Sequence, residues 1–397
     1  MRRNDVKPRI LLLANNIDEV GGAQRVVHVL AQGFGERGHE VTLIGIVPHE
    51  SGFSHEKLLP IDVVPAYRSE RLVPARMPPM PTSSRARLRV DPALRRARRA
   101  RIEAEAAAVR RLQSILDAGQ PGIAITAQLW AMEFLARCDL GDQARADHWR
   151  VIGQYHSSFE AAARGRDLDR ARAVYRDVDL LLALTADDAA CLTDAGFANA
   201  SWMENPLAFW PSVTASVESR TVVYLGRFSG EKAPLLLLQA WERAQRLAPA
   251  AMAEWSLEMV GSGPQDRQVR QAAATHRGVR VNGPTTDPAS VLANAGMVVL
   301  PSLDEGFPLV LAEAMATGVA CIATDCSAGV RALIQDGTTG LLAERGNADH
   351  LAQQIAALAA SPQERIRLGS QARASVERLR IERIMDQWEE CFAQVLR

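Results

Sequence analysis

From residue 8 onward the chain alternates between two hydrophobic periods, and nothing else in it restricts the fold as much. Short apolar runs such as Ile10–Leu13, Val41–Ile46, Ile123–Thr126 and Leu180–Leu184 read as buried strands. Between several of them lie apolar residues at helical spacing, for example Val26, Val27, Leu30, Ala31 and Phe34. The second half repeats the pattern with Val222–Leu225, Leu257–Val260, Val279–Val281, Met297–Leu300 and Ala320–Ala323. Strands alternating with helices imply an α/β fold of right-handed βαβ units on parallel sheets, since a tight hairpin joins only antiparallel neighbours. Between the halves, residues 205–220 carry Pro206, Pro211 and several serines and show neither period, which places a linker there. Two Rossmann-like, doubly wound domains so joined put a ligand cleft at the facing carboxyl ends of their strands. The expected limits are 1–207 and 208–378. The closing segment, 379–397, has Ile381, Ile384, Met385, Trp388, Phe392 and Val395 on one helical stripe. It reads as a packing helix that returns toward the first domain.

Composition narrows the class. Hydrophobic residues make up 47% of the 397 and charged residues 23%, which excludes collagen-like, disordered and small disulfide-bonded scaffolds. No apolar run approaches the ~18 residues that span a bilayer. The run from Arg9 to Ala14 is too short for a signal segment and leads into a glycine turn, so it reads as a first strand. Five cysteines (138, 191, 321, 326 and 391) form no Cys-x-x-Cys pair, which suits a reduced, cytoplasmic chain without a zinc site. His28, His39, His49, His55, His148, His276 and His350 likewise lack metal-ligand spacing. Formal charge is zero, so overall charge does not point to nucleic acid.

The 46 basic residues include only three lysines, Lys7, Lys57 and Lys232. With abundant alanine, this is the usage expected of a high-GC bacterial genome, and a lysine kept deep in such a chain calls for a chemical reason. Residues 68–111 stand apart, with 13 arginines against Glu70, Asp91, Glu103 and Glu105, a local charge of +9. Pro74, Pro78, Pro79 and Pro81 make the first part loop-like, and Arg95–Arg111 reads as a helix. Such a segment is either a solvated insertion or a dock for a polyanion or an anionic membrane face.

Three stretches could carry chemistry. Gly21 and Gly22 follow the first strand and open a helix, where free backbone N–H groups attract anions. Neither the Gly-x-Gly-x-x-Gly fingerprint nor a phosphate-binding Gly-x4-Gly-Lys loop occurs. In Tyr224-Leu225-Gly226-Arg227-Phe228-Ser229-Gly230-Glu231-Lys232 a strand runs into a glycine turn bearing Arg227, with Lys232 five residues on. Two cations converging there suit a diphosphate, Arg as a fork and Lys as a point charge. In residues 301–316 a strand ends, Glu305 stands at a helix entrance, and Glu313 lies two turns inside among apolar residues. A glutamate there needs a partner, and a carboxylate accepting from neighbouring hydroxyls suits a ribose or a sugar. Asp177-Val178-Asp179 spells a metal motif but precedes its apolar strand instead of following one.

The Glu-x7-Glu spacing from Glu305 to Glu313, with Gly306-Phe307-Pro308, Arg227 and Lys232, resembles the retaining glycosyltransferases of family 4, which have the GT-B fold. Supporting matches are Gly-Gly-Ala-Gln-Arg-Val at 21–26, Gly-Gln-Tyr-His-Ser-Ser at 153–158, Asn205-Pro206, Gly-Ser-Gly-Pro at 261–264 and Asp-Gly-Thr-Thr-Gly-Leu-Leu at 336–342. Departures are Ala320-Cys321 in place of a proline-containing turn, Ala233 where glycine is common, and Ala332 where many relatives carry glutamate.

The resemblance implies a nucleotide-sugar donor, with UDP favoured on family frequency, bound mainly by residues 210–375. Arg227 and Lys232 would hold its diphosphate, Glu305 the sugar hydroxyls and Glu313 the ribose. Gly22, Gly261, Gly283, Gly306, Phe307, Pro308 and Leu309 would complete the donor cradle, and His156 would contact the sugar near its reacting end. Gly21, Gln24 and Asn205 fall on the acceptor side. No tightly bound cofactor and no metal are implied. The transferred group would be a hexose or N-acetylhexosamine, and the acceptor a hydroxyl on a cell-wall polymer, lipid or secondary metabolite. A location in the cytoplasm or at the inner membrane face would follow, as a monomer or dimer. Two other readings use similar domains: a nucleotide-sugar epimerase and a non-catalytic nucleotide-sugar scaffold.

Overall fold

The computed structural model describes residues 7–18, 21–48, 66–73, 77, 91–141, 148–165 and 167–397. Among these, the first sheet has seven parallel strands: β1 (Ile10–Ala14), β2 (Val41–Gly45), β3 (Arg68–Arg71), β4 (Ile123–Thr126), β5 (Arg150–Gln154), β6 (Leu180–Ala183) and β7 (Ala200–Trp202). Their order is β3-β2-β1-β4-β5-β6-β7. The second sheet runs β10-β9-β8-β11-β12-β13, from β8 (Thr221–Leu225), β9 (Ser256–Val260), β10 (Val279–Asn282), β11 (Met297–Leu300), β12 (Ala320–Asp325) and β13 (Leu341–Glu344). Each order reverses once, at β1 beside β4 and at β8 beside β11, and such switch points open crevices at the strands' carboxyl ends.

Burial on both faces explains the unbroken apolar strands. In β1, Ile10, Leu12 and Ala14 enter one core while Leu11 and Leu13 enter another. The first of these cores is shared between the two halves. It joins Leu12, Val27 and Phe34 to Leu311 and Met315, and to Ile384, Trp388 and Phe392 of the Ile381–Val395 helix. That last helix packs on the Gly22–Glu36 helix, with Phe34 edge-on to Trp388 at 5.6 Å between ring centroids. Glu389 accepts from Lys7 and pairs with His39, both at 2.9 Å.

The arginine-rich segment is less of an insertion than its charge suggests. Arg68–Arg71 is the edge strand β3, in register from Thr42↔Arg68 to Gly45↔Arg71. Arg71 forks onto Asp18, its Nε at 2.8 Å. An edge strand needs neither full burial nor a second neighbour, which is why a polar tetrapeptide serves. Residues 74–76 and 78–90, with Pro74, Pro78, Pro79 and Pro81, lie outside the described residues. Arg95–Arg111 falls within a longer helix, Pro92–Asp117, whose start Asp91 caps by accepting from the Ala93 N–H at 2.8 Å. Only its far end is buried, through Ala108, Leu112 and Leu116, so Arg95, Arg96, Arg98 and Arg99 stand in solvent. Among the described residues no helix is long and apolar enough to cross a membrane.

Candidate active site

The second sheet supplies a charged, braced half. After β8 the chain turns through Gly226 and Arg227, and the Tyr224 hydroxyl donates to the Arg227 carbonyl at 2.8 Å. The loop after β9 presses on this turn. The Phe228 N–H donates to the Ser262 carbonyl at 2.8 Å, and a Cβ at Gly261 would strike the Gly226 carbonyl oxygen. Arg227 itself is exposed. Ala233, directly after Lys232, holds a left-handed conformation at φ 45°, a strain that glycine would not feel.

Lys232 donates to Glu305 Oε2 at 2.7 Å, and the Ser302 hydroxyl donates to Oε1 at 2.7 Å. Glu305 is 6% exposed, so the pair fixes its carboxylate at the cleft with both oxygens engaged. The Leu303 N–H bonds the Glu231 carbonyl at 2.6 Å and ties the β8 and β11 turns together. The rare lysine therefore sits against the first glutamate of the Glu-x7-Glu pair.

Beyond Glu305, Gly306 passes so close to the first half that a Cβ would lie 2.9 Å from the His156 carbonyl. Phe307 is buried, and Pro308 (φ −74°) delivers the chain into the Leu309–Thr317 helix. No side-chain cap bond satisfies this helix start, nor that of the Gly22–Glu36 helix behind Gly21. The two starts meet across the cleft, where a Cβ on Gly22 would touch Leu309 Cδ1 at 3.4 Å. Two helix starts without side-chain caps, and their positive dipole ends, thus converge at the helix that carries Glu313, where Arg25 reaches across. Gly283 lies further out, in open space past β10.

The first sheet's side is lined mainly by amides. Behind β1, the Asn15 N–H donates to Gln128 Oε1 at 2.8 Å and Asn15 Oδ1 accepts from the Ala131 N–H at 3.1 Å. Gln24 donates to Asn16 Oδ1 at 3.5 Å and lays its own carbonyl over Gly21. Past β5, His156 Nε2 bonds Oε1 of the fully buried Gln154 at 2.9 Å. Burial pulls the His156 pKa down to about 4, so the ring is neutral near pH 7, with Nε2–H donating and Nδ1 left as an acceptor. Asn205 is buried in the crossover, its Oδ1 without a protein partner, between the Glu204–Arg378 fork and the Leu207–Leu379 backbone bond.

Two carboxylates bridge the halves. Asp304 accepts from the Ser158 hydroxyl at 3.2 Å and from Arg164 of the first half. Glu313, 1% exposed, is paired by Arg25 from the second turn of the Gly22–Glu36 helix. These bridging partners were not visible as such in the sequence. Gln-Arg within the 21–26 motif and the second serine of 153–158 were its only trace. Asp179 is structural: it accepts from the Val151 N–H at 2.7 Å and pins β5 to β6. Among the described residues no group of three or more His, Cys, Asp or Glu is arranged to hold a metal.

Comparison with known proteins follows this division. Residues 20–202 match the model for "Glycosyltransferase Family 4" and residues 219–361 that for "Glycosyl transferases group 1". Over 189 residues the chain is 28% identical to an uncharacterized glycosyltransferase of Haemophilus influenzae, covering 47% of this chain and 52% of that one. Over 145 residues it is 38% identical to the N-acetyl-alpha-D-glucosaminyl L-malate synthase of Bacillus anthracis, covering 36% and 38%. The chain thus matches about half, or less, of the length of these curated relatives. Among solved structures it resembles TarM, with a TM-score of 0.77 over 98% of this chain and 99% of that one at 13% identity. It also resembles HepE of Anabaena in complex with UDP and glucose, at 0.72 over 97% and 100% and 16% identity. At such identities the likeness is one of fold, and the family rests on the two sequence models, which flank the crossover and take in nearly every group described above. The chain belongs to the family 4 glycosyltransferases and has their two-domain GT-B fold.

Proposed function

We propose that the protein transfers a hexose or N-acetylhexosamine from a nucleoside diphosphate sugar to an acceptor hydroxyl, with retention at the anomeric carbon. The observation that carries this reading is the meeting of two uncapped helix starts, one of which follows the Glu305 turn on which Lys232 is braced. Such a place stabilises the charge that builds on a departing diphosphate. In the reaction the acceptor oxygen bonds to the anomeric carbon as the bond from that carbon to the diphosphate oxygen breaks. The acceptor proton passes to the leaving phosphate on the same face, so no protein nucleophile is required. Arg227, Lys232 and the N–H groups near Gly22 and Leu309 hold the diphosphate. Glu305 orients the sugar, Glu313 the ribose, and neutral His156 accepts from or donates to the sugar without adding charge.

UDP is the preferred nucleotide in this reading, supported by HepE having been solved with UDP and with glucose. The division of labour follows residues 1–207 for the acceptor, 208–378 for the donor and 379–397 as the returning helix. The relatives' names run from a malate product to a phosphatidyl-myo-inositol mannosyltransferase, so the acceptor is proposed only as a hydroxyl on a cell-wall, lipid or metabolite carrier. The exposed arginines at 95, 96, 98 and 99 offer a dock for an anionic carrier or the inner membrane face.

The test is a calorimetric titration with UDP, GDP, ADP and dTDP. Binding of one nucleotide, lost in Glu313→Ala, supports the donor site and selects the donor class. Absence of binding to all four overturns it.

A further inference from the structure

Glu313 poses a problem that the donor reading does not solve by itself. It lies two turns into the apolar Leu309–Thr317 helix, 1% exposed, where burial disfavours its charge. Arg25 bonds Oε1, while Oε2 is equally buried and has no hydrogen-bond partner in the protein. Among the described residues, the elements packed on this helix offer no second cation. Arg373, from the Pro362–Ser375 helix, is directed to the Ala316 and Pro211 carbonyls. Arg378, from the Val376–Leu379 turn, forks onto Glu204, and Glu377 faces Arg380 and Arg383. Cys321 on β12 is a buried thiol whose ionisation burial opposes. Neither β11 nor the Pro288–Ala293 helix carries a titratable residue.

Arg25 belongs to the other half of the molecule. Its helix begins at Gly22 behind β1, and its side chain crosses the cleft to reach Glu313. A carboxylate with one oxygen tied and the other buried and unmet is prepared for one more donor. Leaving that oxygen unmet is costly, so a ligand hydroxyl that reaches it binds well.

We infer that Arg25 is a positioning residue for the nucleotide. From the acceptor half it holds the Glu313 carboxyl in orientation, with Oε2 directed to a ribose hydroxyl, so that the ribose is gripped fully only when the cleft is closed. This rests on the reading of Glu313 as the ribose contact. It adds Arg25 to Gly22 on the first half's side of a nucleotide site whose remaining partners lie in the second.

The experiment measures affinity for UDP and for its 2′-deoxy and 3′-deoxy forms, or the corresponding set for the nucleotide selected above. It compares the native protein with Arg25→Ala, Arg25→Lys and Glu313→Gln at pH 5.5 and pH 8. The native protein should prefer UDP over one deoxy form by about tenfold at both pH values. Arg25→Ala should lose most of that preference, more so at pH 5.5, where an unpaired Glu313 takes up a proton. Arg25→Lys should recover part of it. A native preference and pH response retained in Arg25→Ala, with Glu313→Gln impaired, overturns the role of Arg25 alone. A preference retained in Glu313→Gln overturns the ribose contact and the inference with it. Circular dichroism monitors folding, and if Arg25→Ala does not fold, Arg25→Gln, which keeps an apolar stem of similar reach, is held to the same outcomes.

Discussion

The two faces of the cleft are built from different chemistry. On the second sheet's side Lys232 and Glu305 are locked together, and the turn bearing Arg227 is wedged against residues 261–263. On the first sheet's side Asn15, Asn16, Gln24, Gln128 and Gln154 bond to one another, to backbone or to a neutral histidine. Amides can be buried against each other at little cost and keep both donors and acceptors available. Ion pairs fix a charge pattern in advance of the ligand, at a desolvation cost that only a charged ligand returns. Under the proposed function, this contrast would set a diphosphate on one side and a polyol on the other. The exceptions are Arg25 and Arg164, cations that the first half sends across to Glu313 and Asp304.

The sharpest way to break this contrast is Lys232→Ala. Removing the preset cation should cut turnover, read as release of nucleoside diphosphate, by about a hundredfold with the fold intact. Near-normal turnover would remove the diphosphate role. Next, Gly261→Ala should push the Arg227 turn aside and weaken nucleotide binding by about tenfold in calorimetry. The matching change in the amide-lined half, Gly21→Ala, meets only the movable end of Gln24 and should leave nucleotide affinity within about twofold. Equal losses for both would mean that the second half is no more rigid than the first.

A pH test addresses the amide-lined half. With the native His156 pKa near 4 and the unfolded value near 6.5, the unfolded chain takes up a proton that the native ring refuses. This contribution to stability is whole above pH 6.5 and is lost as pH falls toward 4. Urea midpoints at pH 7 and pH 5 should therefore differ less in His156→Gln than in the native protein. An unchanged difference would show that the ring titrates normally. The smallest effect belongs to Ala233→Gly. Relief of the left-handed strain, partly offset by glycine's freedom in the unfolded chain, should leave a gain of about 0.5 kcal/mol, read as a slightly higher thermal midpoint. A lower midpoint would mean that Ala233 is not strained.

The sequence displayed the strands that are buried on both faces, because uninterrupted runs such as Ile10–Ala14 and Met297–Leu300 have no other use in a chain of this composition. It hid β3 and β7, since sheet edges accept polar stretches such as Arg68-Ser69-Glu70-Arg71. At the site, Glu305, Glu313 and Lys232 were legible because their types conflict with their surroundings. Arg25, Ser302 and Arg164 were not. One arginine among 43 gives no local signal, and its partner lies 288 positions away. Ser302 bonds a glutamate three residues on, but only the closure of one sheet's crevice onto the other's brings Arg25 and Arg164 to their partners.

The Ile381–Val395 helix has a consequence for how the protein is made. It covers Phe34 at the far end of the Gly22–Glu36 helix, with Gly33 so near Met385 that a side chain there would collide with its sulfur. The amino-terminal half therefore waits, one apolar flank bare, while the second sheet is synthesised and folded. A fragment ended in the crossover should be sticky and poorly soluble, and co-expression of the missing helix should rescue it. On the ribosome, the half made first is the half completed last.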